Sequence, residues 1–242
     1  MSTGCVLVAA GSGTRLAAGS PKAFVVLDGR PLLVHAAERV LRSGVCQHLV
    51  LVVPDGRQDE STALVSGLAG AEGVVLRAVA GGADRRSSVA AGLAALPADV
   101  DVVLVHDAAR CLTPPEQVAE VERAVRTGAA AVVPGVPVSD TVRAVDVEGV
   151  PRGGPIDRTS LRLVQTPQGF RREVIERAHA LASEHGLPAA LAATDDASLA
   201  ELLGAPVTVV PGREEAFKVT RPLDLALATA VLAQERAAGA TS

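Results

Sequence analysis

Cys5-Val6-Leu7-Val8-Ala9-Ala10-Gly11-Ser12-Gly13-Thr14-Arg15-Leu16, with Pro21-Lys22 close behind, is the stretch on which the reading of this chain turns. Its first six residues form a short apolar run with β-branched valines, as in a strand buried on both faces of a parallel sheet. The glycines that follow let the backbone turn sharply and bring its N–H groups close to a ligand. Arg15 and Lys22 add positive charge beside those amides. This is the make-up of a phosphate-handling loop, yet two common versions do not fit. Leu16 stands where a dinucleotide fingerprint needs its third glycine, and no Gly-Lys-Ser/Thr follows as a P-loop requires. A plain strand-to-helix turn with solvated cations explains the loop about as well, so the decision lies in the rest of the chain.

Outward from this loop the sequence alternates strand and helix signals. A helix is expected from Pro31, where the missing N–H costs little, to Gly44. Strands are expected at His48 to Val53, Val74 to Val79 and Val100 to His106, with helices at Ser88 to Leu96 and Glu116 to Thr127. A further apolar run covers Ala129 to Val133. The last third holds helical segments at Arg171 to His185 and Asp195 to Leu203, a strand at Pro206 to Val210, and a final helix from Pro222 to about Ala238. Such alternation predicts an α/β fold, a Rossmann-like and mainly parallel sheet flanked by helices, within one domain spanning residues 1–242.

Composition narrows the function classes. The 242 residues carry a formal net charge of -4 and no Trp or Tyr, with Phe24, Phe170 and Phe217 the only aromatics. There is neither a global basic field nor a set of stacking rings for nucleic acid, so small anions are the expected partners. Cys5, Cys46 and Cys111 are too few and too scattered for a disulfide framework or a zinc set, which points to a reducing cytoplasm. Met1-Ser2-Thr3-Gly4 lacks the basic start of a signal peptide, and no apolar stretch is long enough to span a membrane. His35, His48 and His179 have no metal-site spacing, and Asp195-Asp196 reads as the acidic first turn of a helix.

Residues 141–166 depart from this rhythm. Val142, Ala144, Val145 and Val147 lead to a turn at Glu148-Gly149, then a Pro/Gly-rich stretch and Leu161, Leu163 and Val164. A projecting β-arm is expected here, with too few apolar residues for a core of its own and a second copy of the chain as its natural cover.

Several polar residues sit just past predicted strand ends, where ligands bind in open parallel sheets. Gly81-Gly82 with Arg85 and Ser88 follow one strand, and His106-Asp107-Ala108-Ala109-Arg110 another. Ser139-Asp140-Thr141 ends a third, and Lys218-Val219-Thr220 precedes the last helix. Taken singly each has an ordinary explanation: Arg85 a helix-entry charge, Ser88 an N-cap, Asp107 a cap, Lys218 a solvated side chain. Their joint occurrence is harder to explain that way.

Together with Asp157-Arg158, Gln165-Thr166-Pro167-Gln168 and Thr194-Asp195-Asp196-Ala197-Ser198, these strings resemble the 2-C-methyl-D-erythritol 4-phosphate cytidylyltransferase family, in order and over almost the whole chain. The resemblance implies that CTP and methylerythritol phosphate give 4-diphosphocytidyl-2-C-methyl-D-erythritol and pyrophosphate in the non-mevalonate isoprenoid pathway. It implies catalytic roles for Arg15, Lys22 and Lys218, a nucleotide pocket of Ala9, Ala10, Gly11, Gly13, Gly82, Ser88 and Asp107, and an acceptor site of Arg110, Thr141, Arg158 and Thr166. It also implies Mg²⁺ held mainly by CTP phosphates, with Asp107 a possible ligand, and a homodimer in which the arm carries Thr141 and Arg158 to the partner's site. Departures are Cys111 where the family often has Pro, Ala83 where an acid can stand, and Ala216-Phe217 in place of Asn-Ile. A cytidylyltransferase for another polyol phosphate such as ribitol 5-phosphate, a sugar-1-phosphate or molybdopterin nucleotidyltransferase, and a non-catalytic nucleotide-binding module remain as alternatives.

Overall fold

The computed structural model describes residues 2–11, 20–184 and 195–239. Its strands are β1 (Ser2–Val8), β2 (Val26–Leu27), β3 (Arg30–Pro31), β4 (His48–Val53), β5 (Val75–Ala80), β6 (Val100–Asp107), β7 (Ala131–Pro137), β8 (Ala144–Val145), β9 (Pro151–Arg152), β10 (Arg162–Val164), β11 (Gln168–Arg171) and β12 (Val207–Pro211). Its helices are α1 (Leu32–Arg42), α2 (Gln58–Ser66), α3 (Arg85–Ala95), α4 (Pro115–Arg126), α5 (Arg172–Glu184), α6 (Asp196–Leu202) and α7 (Pro222–Gly239).

Eight strands form the main sheet in the order β10-β7-β11-β6-β1-β4-β5, with β12 also pairing β7. β10 and β11 run against the other six. Both faces are covered. In β1, Cys5 and Leu7 join the core shared with α1, α4 and α7, whereas Val6 joins the one shared with α3, α5 and α6. This explains why the strand reads as a continuous apolar run rather than an alternating one.

Local chemistry sets the element ends. Asp28 and Gly29 both take positive φ (51° and 77°) and close the β2–β3 hairpin, and Gly44 at φ 71° ends α1. Helix α3 starts earlier than the sequence suggests. Asp84 is its N-cap, accepting from the Ser87 N–H at 2.7 Å while the Ser87 hydroxyl accepts from the Asp84 N–H, a reciprocal capping box. Ser88 therefore lies inside the helix. Helix α2 has no counterpart among the sequence signals: it buries only Ser61 and Val65, so its apolar stripe is too small to announce it.

Register brings the strand ends to one edge. Val8 is level with Asp107 on one side and Val52 on the other, and Val52 with Val79. The chain leaves β1, β5 and β6 at the same end of the sheet. β4 and β6 flank β1 on opposite sides, so a topological switch point opens beside β1, the position where open α/β sheets bind ligands.

Within 141–166, β8 and β9 form a small antiparallel ribbon whose turn contains Gly149 at φ 82°, and β10 returns to pair with β7. The ribbon and its surroundings expose Val145, Val147, Val150, Leu163 and Val164. Val147 is 96% exposed, so these residues lack cover within the chain, whereas Val142 and Leu161 are half-buried.

Candidate active site

A cleft of about 470 Å³ opens at the switch point. Ala9, Ala10 and Gly11 form one wall, Gly82, Ala83, Arg85 and Ser88 another, and Asp107, Lys22 and Lys218 also face it. The small residues are required by packing. A Cβ on Gly81 would stand 2.3 Å from the Ala10 Cβ, so the two loops approach more closely than a side chain there would permit, and a Cβ on Gly82 would stand 2.2 Å from the Ser87 Oγ in the first turn of α3. Ser88 Oγ accepts from the Gly82 N–H at 3.1 Å and donates to the Asp84 carbonyl at 2.8 Å, fixing the Gly81-Gly82 loop from beneath. The Val219 N–H donates to the Ala109 carbonyl at 2.8 Å, which ties the loop carrying Lys218 to the one following Asp107.

A chain of alternating charges runs along the cleft wall. Lys218 Nζ lies 2.7 Å from Asp107 Oδ2, Arg85 Nε lies 3.3 Å from Asp107 Oδ1, and Arg85 Nη1 lies 2.7 Å from Asp196 Oδ2. The other Asp196 oxygen is 3.0 Å from His179 Nε2. Burial alone would raise the Asp107 pKa, but Arg85 and Lys218 outweigh it and hold the carboxyl well below the usual carboxylate range. Burial likewise works against the Arg85 charge, and Asp196 and Asp107 more than restore it. Asp196 is buried too, and its pKa is lowered despite desolvation by His179 and Arg85. Both carboxylates are thus ionised and both cations are oriented.

A second cavity of about 210 Å³ adjoins the first and shares Arg85, Asp107 and Lys218 with it. Arg110, Gln165, Thr166, Gln168 and Asp195 are among the residues that line its remainder. The Arg110 guanidinium donates to the Ala216 carbonyl at 2.8 Å and the Val164 carbonyl at 3.0 Å, so it remains aimed although Cys111 stands where the family often has Pro. Cys111 is fully buried and its thiol is pushed up to about 12 by burial, a packing residue rather than a reactive one. Thr166 Oγ1 accepts from the Asp107 N–H at 3.0 Å and lies 2.9 Å from His106 Nδ1, tethering its loop to the end of β6. Burial lowers the His106 pKa to about 4. Gln168 Oε1 accepts from the N–H groups of Asp196 and Ala197, and Asp195 caps the same helix through the Ser198 N–H.

The structure therefore brings Ala9, Ala10, Gly11, Lys22, Gly82, Ser88, Asp107 and Lys218 to one cleft, and Arg110 and Thr166 to its neighbour. Gly13, Arg15 and Thr194 lie outside the described residues. Thr141 and Arg158 are exposed and line neither cavity, and Arg158 donates to the Ser139 carbonyl. Gln168 and Asp196 stand in the quoted sequence strings without a role, and their contacts and the bridging role of Arg85 escape a reading of the sequence alone. Lys22 and Lys218, both expected at the site, are the only two lysines, against 21 arginines, and both face the same cleft.

No group of three or more potential protein ligands for a metal occurs among the described residues. Asp84 and Asp107 are the carboxylates that line the cleft, and both Asp107 oxygens are paired, with Arg85 and with Lys218; Mg²⁺ needs few protein ligands when phosphates supply the rest.

Comparison with known proteins gives the family. The family model described as 2-C-methyl-D-erythritol 4-phosphate cytidylyltransferase (IspD) matches residues 4–234. A protein of that name from Streptomyces avermitilis is 48% identical over 97% of this chain and 93% of its own length. One from Frankia casuarinae is 50% identical over 95% and 80%. The crystal structure of the enzyme of that name from Thermus thermophilus superposes with a TM-score of 0.73 at 36% identity, covering 96% of this chain and 98% of the other. By its sequence and its fold, this chain belongs to the 2-C-methyl-D-erythritol 4-phosphate cytidylyltransferase family.

Proposed function

We propose that this chain transfers the cytidylyl group of CTP to 2-C-methyl-D-erythritol 4-phosphate, giving 4-diphosphocytidyl-2-C-methyl-D-erythritol and pyrophosphate in non-mevalonate isoprenoid biosynthesis. The observation that carries this reading is the convergence of the chain's two lysines on a cleft walled by small-residue loops, beside a second cavity with an oriented arginine.

An oxygen of the acceptor phosphate attacks the CTP α-phosphorus, and the bond to the bridging oxygen of pyrophosphate breaks. The nucleophile is already ionised near neutral pH, so no general base is required. The barrier is repulsion between two anions and the charge gathering on the leaving group, which positioned cations relieve. Lys22 and Arg15 would hold the triphosphate and stabilise that charge, and Lys218 would bridge donor and acceptor, since it faces both cavities. Ala9, Ala10, Gly11, Gly13, Gly82 and Ser88 would read the nucleotide through backbone groups and a hydroxyl. Arg110 and Thr166 would meet the acceptor. Asp107 would be the carboxylate to hold a Mg²⁺ brought in with CTP, exchanging one of its two cation contacts, and the ion would neutralise phosphate charge.

We read residues 1–242 as one nucleotidyltransferase domain whose segment 141–166 packs on a second copy. The exposed Val145, Val147 and Val150 support this, and so does the position of Thr141 and Arg158 outside both cavities, because an exchanged segment would deliver them to the partner's acceptor site.

An isotope experiment tests the transfer. With the acceptor phosphate labelled by oxygen-18, the label should stay in the cytidylylated product and be absent from pyrophosphate. Label in pyrophosphate would overturn the proposed direction of attack.

A further inference from the structure

Arg85 has no assigned part in the reaction, yet it is the centre of the charge chain and lines both cavities. Its guanidinium uses two different edges, Nε toward Asp107 and Nη1 toward Asp196. Asp196 is 1% exposed and is itself held by His179 and by the Gln168 cap on its backbone N–H. This end of the chain is anchored in the core. The other end is not: the Lys218 side chain is 40% exposed on a flexible stem.

An ammonium is a point charge without directional preference, so its aim depends on a fixed acceptor. Asp107 Oδ2 is that acceptor, and its orientation is set through the second oxygen by Arg85 Nε. We propose that Arg85 is a positioning residue for the cytidylyl transfer: anchored by Asp196, it fixes the Asp107 carboxylate and thereby aims Lys218 at the boundary between the nucleotide and acceptor cavities. The inference rests on the function proposed above. A lysine at position 85 would keep the charge but lose the planar fork that spans two carboxylates.

The test is a double-mutant cycle. Arg85→Lys and Arg85→Gln are each made alone and in a Lys218→Ala background, with kcat and the KM for CTP measured for every variant. Acting through Lys218, Arg85→Lys should lower kcat at least about tenfold with KM for CTP within about threefold, and cost less than about twofold once Lys218 is absent. Equal losses in the two backgrounds would overturn the proposal and leave Arg85 a general stabiliser of the fold.

A second readout needs no turnover. With carbon-13 lysine only two side-chain signals arise, and Lys22→Arg identifies the one from Lys218. Arg85→Gln should move the Lys218 ε-signal toward that of an exposed, averaging lysine, and Asp196→Asn should move it in the same direction by less. An unchanged signal in the folded variants would overturn the inference even in an active enzyme. If wild-type protein makes no pyrophosphate while the variants show the predicted shift, the functional reading is overturned and the Arg85 geometry stands. If Arg85→Gln does not fold, Asp196→Asn carries the same two tests.

Discussion

Lys218 Nζ lies 2.7 Å from Asp107 Oδ2, although 111 residues separate them in the chain. The contact joins the end of β6 to the loop before α7, and it places a cation where the two cavities meet. Lys22 approaches the same cleft from the segment after β1.

Lys22→Ala, Lys218→Ala and Arg15→Ala should each lower kcat by about 100-fold or more, the size of loss seen when one preorganised stabilising group is removed. Circular dichroism and thermal unfolding should remain close to wild type. Turnover within a few-fold of wild type would remove the substituted residue from the machinery.

Gly81→Ala should damage stability and nucleotide binding together. The added Cβ would sit 2.3 Å from the Ala10 Cβ, so one of the two cleft loops must move. Overpacking of this kind costs about 1–3 kcal/mol. Thermal unfolding and CTP titration check it, and an unchanged CTP affinity would show that the two loops do not jointly form the nucleotide wall.

His106 should remain neutral from pH 5 to pH 8. Its pKa falls from the ordinary imidazole range to about 4 because it is buried, so the unfolded chain takes up a proton more readily than the folded one. The sign follows: stability is full above about pH 6.5 and declines as pH drops toward 4, by about 3 kcal/mol in all. Imidazole titration by NMR and urea unfolding across pH 4 to 7 measure the two halves of this statement. A His106 titration near pH 6.5 in the folded protein would contradict it.

Asp196→Asn should lower stability by about 3 kcal/mol, as when one partner of a buried ion pair is removed. Because burial is outweighed by His179 and Arg85 and the folded pKa is lowered, the wild-type advantage is present above about pH 4 and is lost as pH falls through that lowered value. Unfolding curves of the two proteins should converge in acid. A gap unchanged down to pH 2 would show that the Asp196 charge is not its source.

Thr141→Ala and Arg158→Ala should chiefly raise KM for the acceptor and leave CTP binding intact. Mixing either variant with Lys22→Ala should restore activity if the segment is exchanged between copies, since one of the mixed sites would then be whole. Absence of rescue in demonstrably mixed dimers would argue against shared sites.

Much of this arrangement is legible in the sequence because it depends on local pattern. The apolar run before Gly11 marks β1, and Pro31 and Gly44 bracket α1. The rule that ligands bind past strand ends gathers Gly82 and Asp107 around the loop that precedes Lys22, and all three line one cleft. Helix α2 is illegible because it buries too little to create a stripe. The Arg85–Asp196 pair is illegible for a different reason: it spans 111 residues, and an acidic pair after Thr194 has a sufficient local explanation as a helix start. Asp195 does play that local part, and Asp196 turns inward instead.

The most direct test of the account is pyrophosphate release by the purified protein with CTP and Mg²⁺, comparing 2-C-methyl-D-erythritol 4-phosphate, D-ribitol 5-phosphate and no acceptor. The account predicts rapid release with methylerythritol phosphate alone. Selective release with ribitol phosphate would keep the chemistry and overturn the acceptor, and a folded, CTP-binding protein silent with both would contradict the proposed transfer.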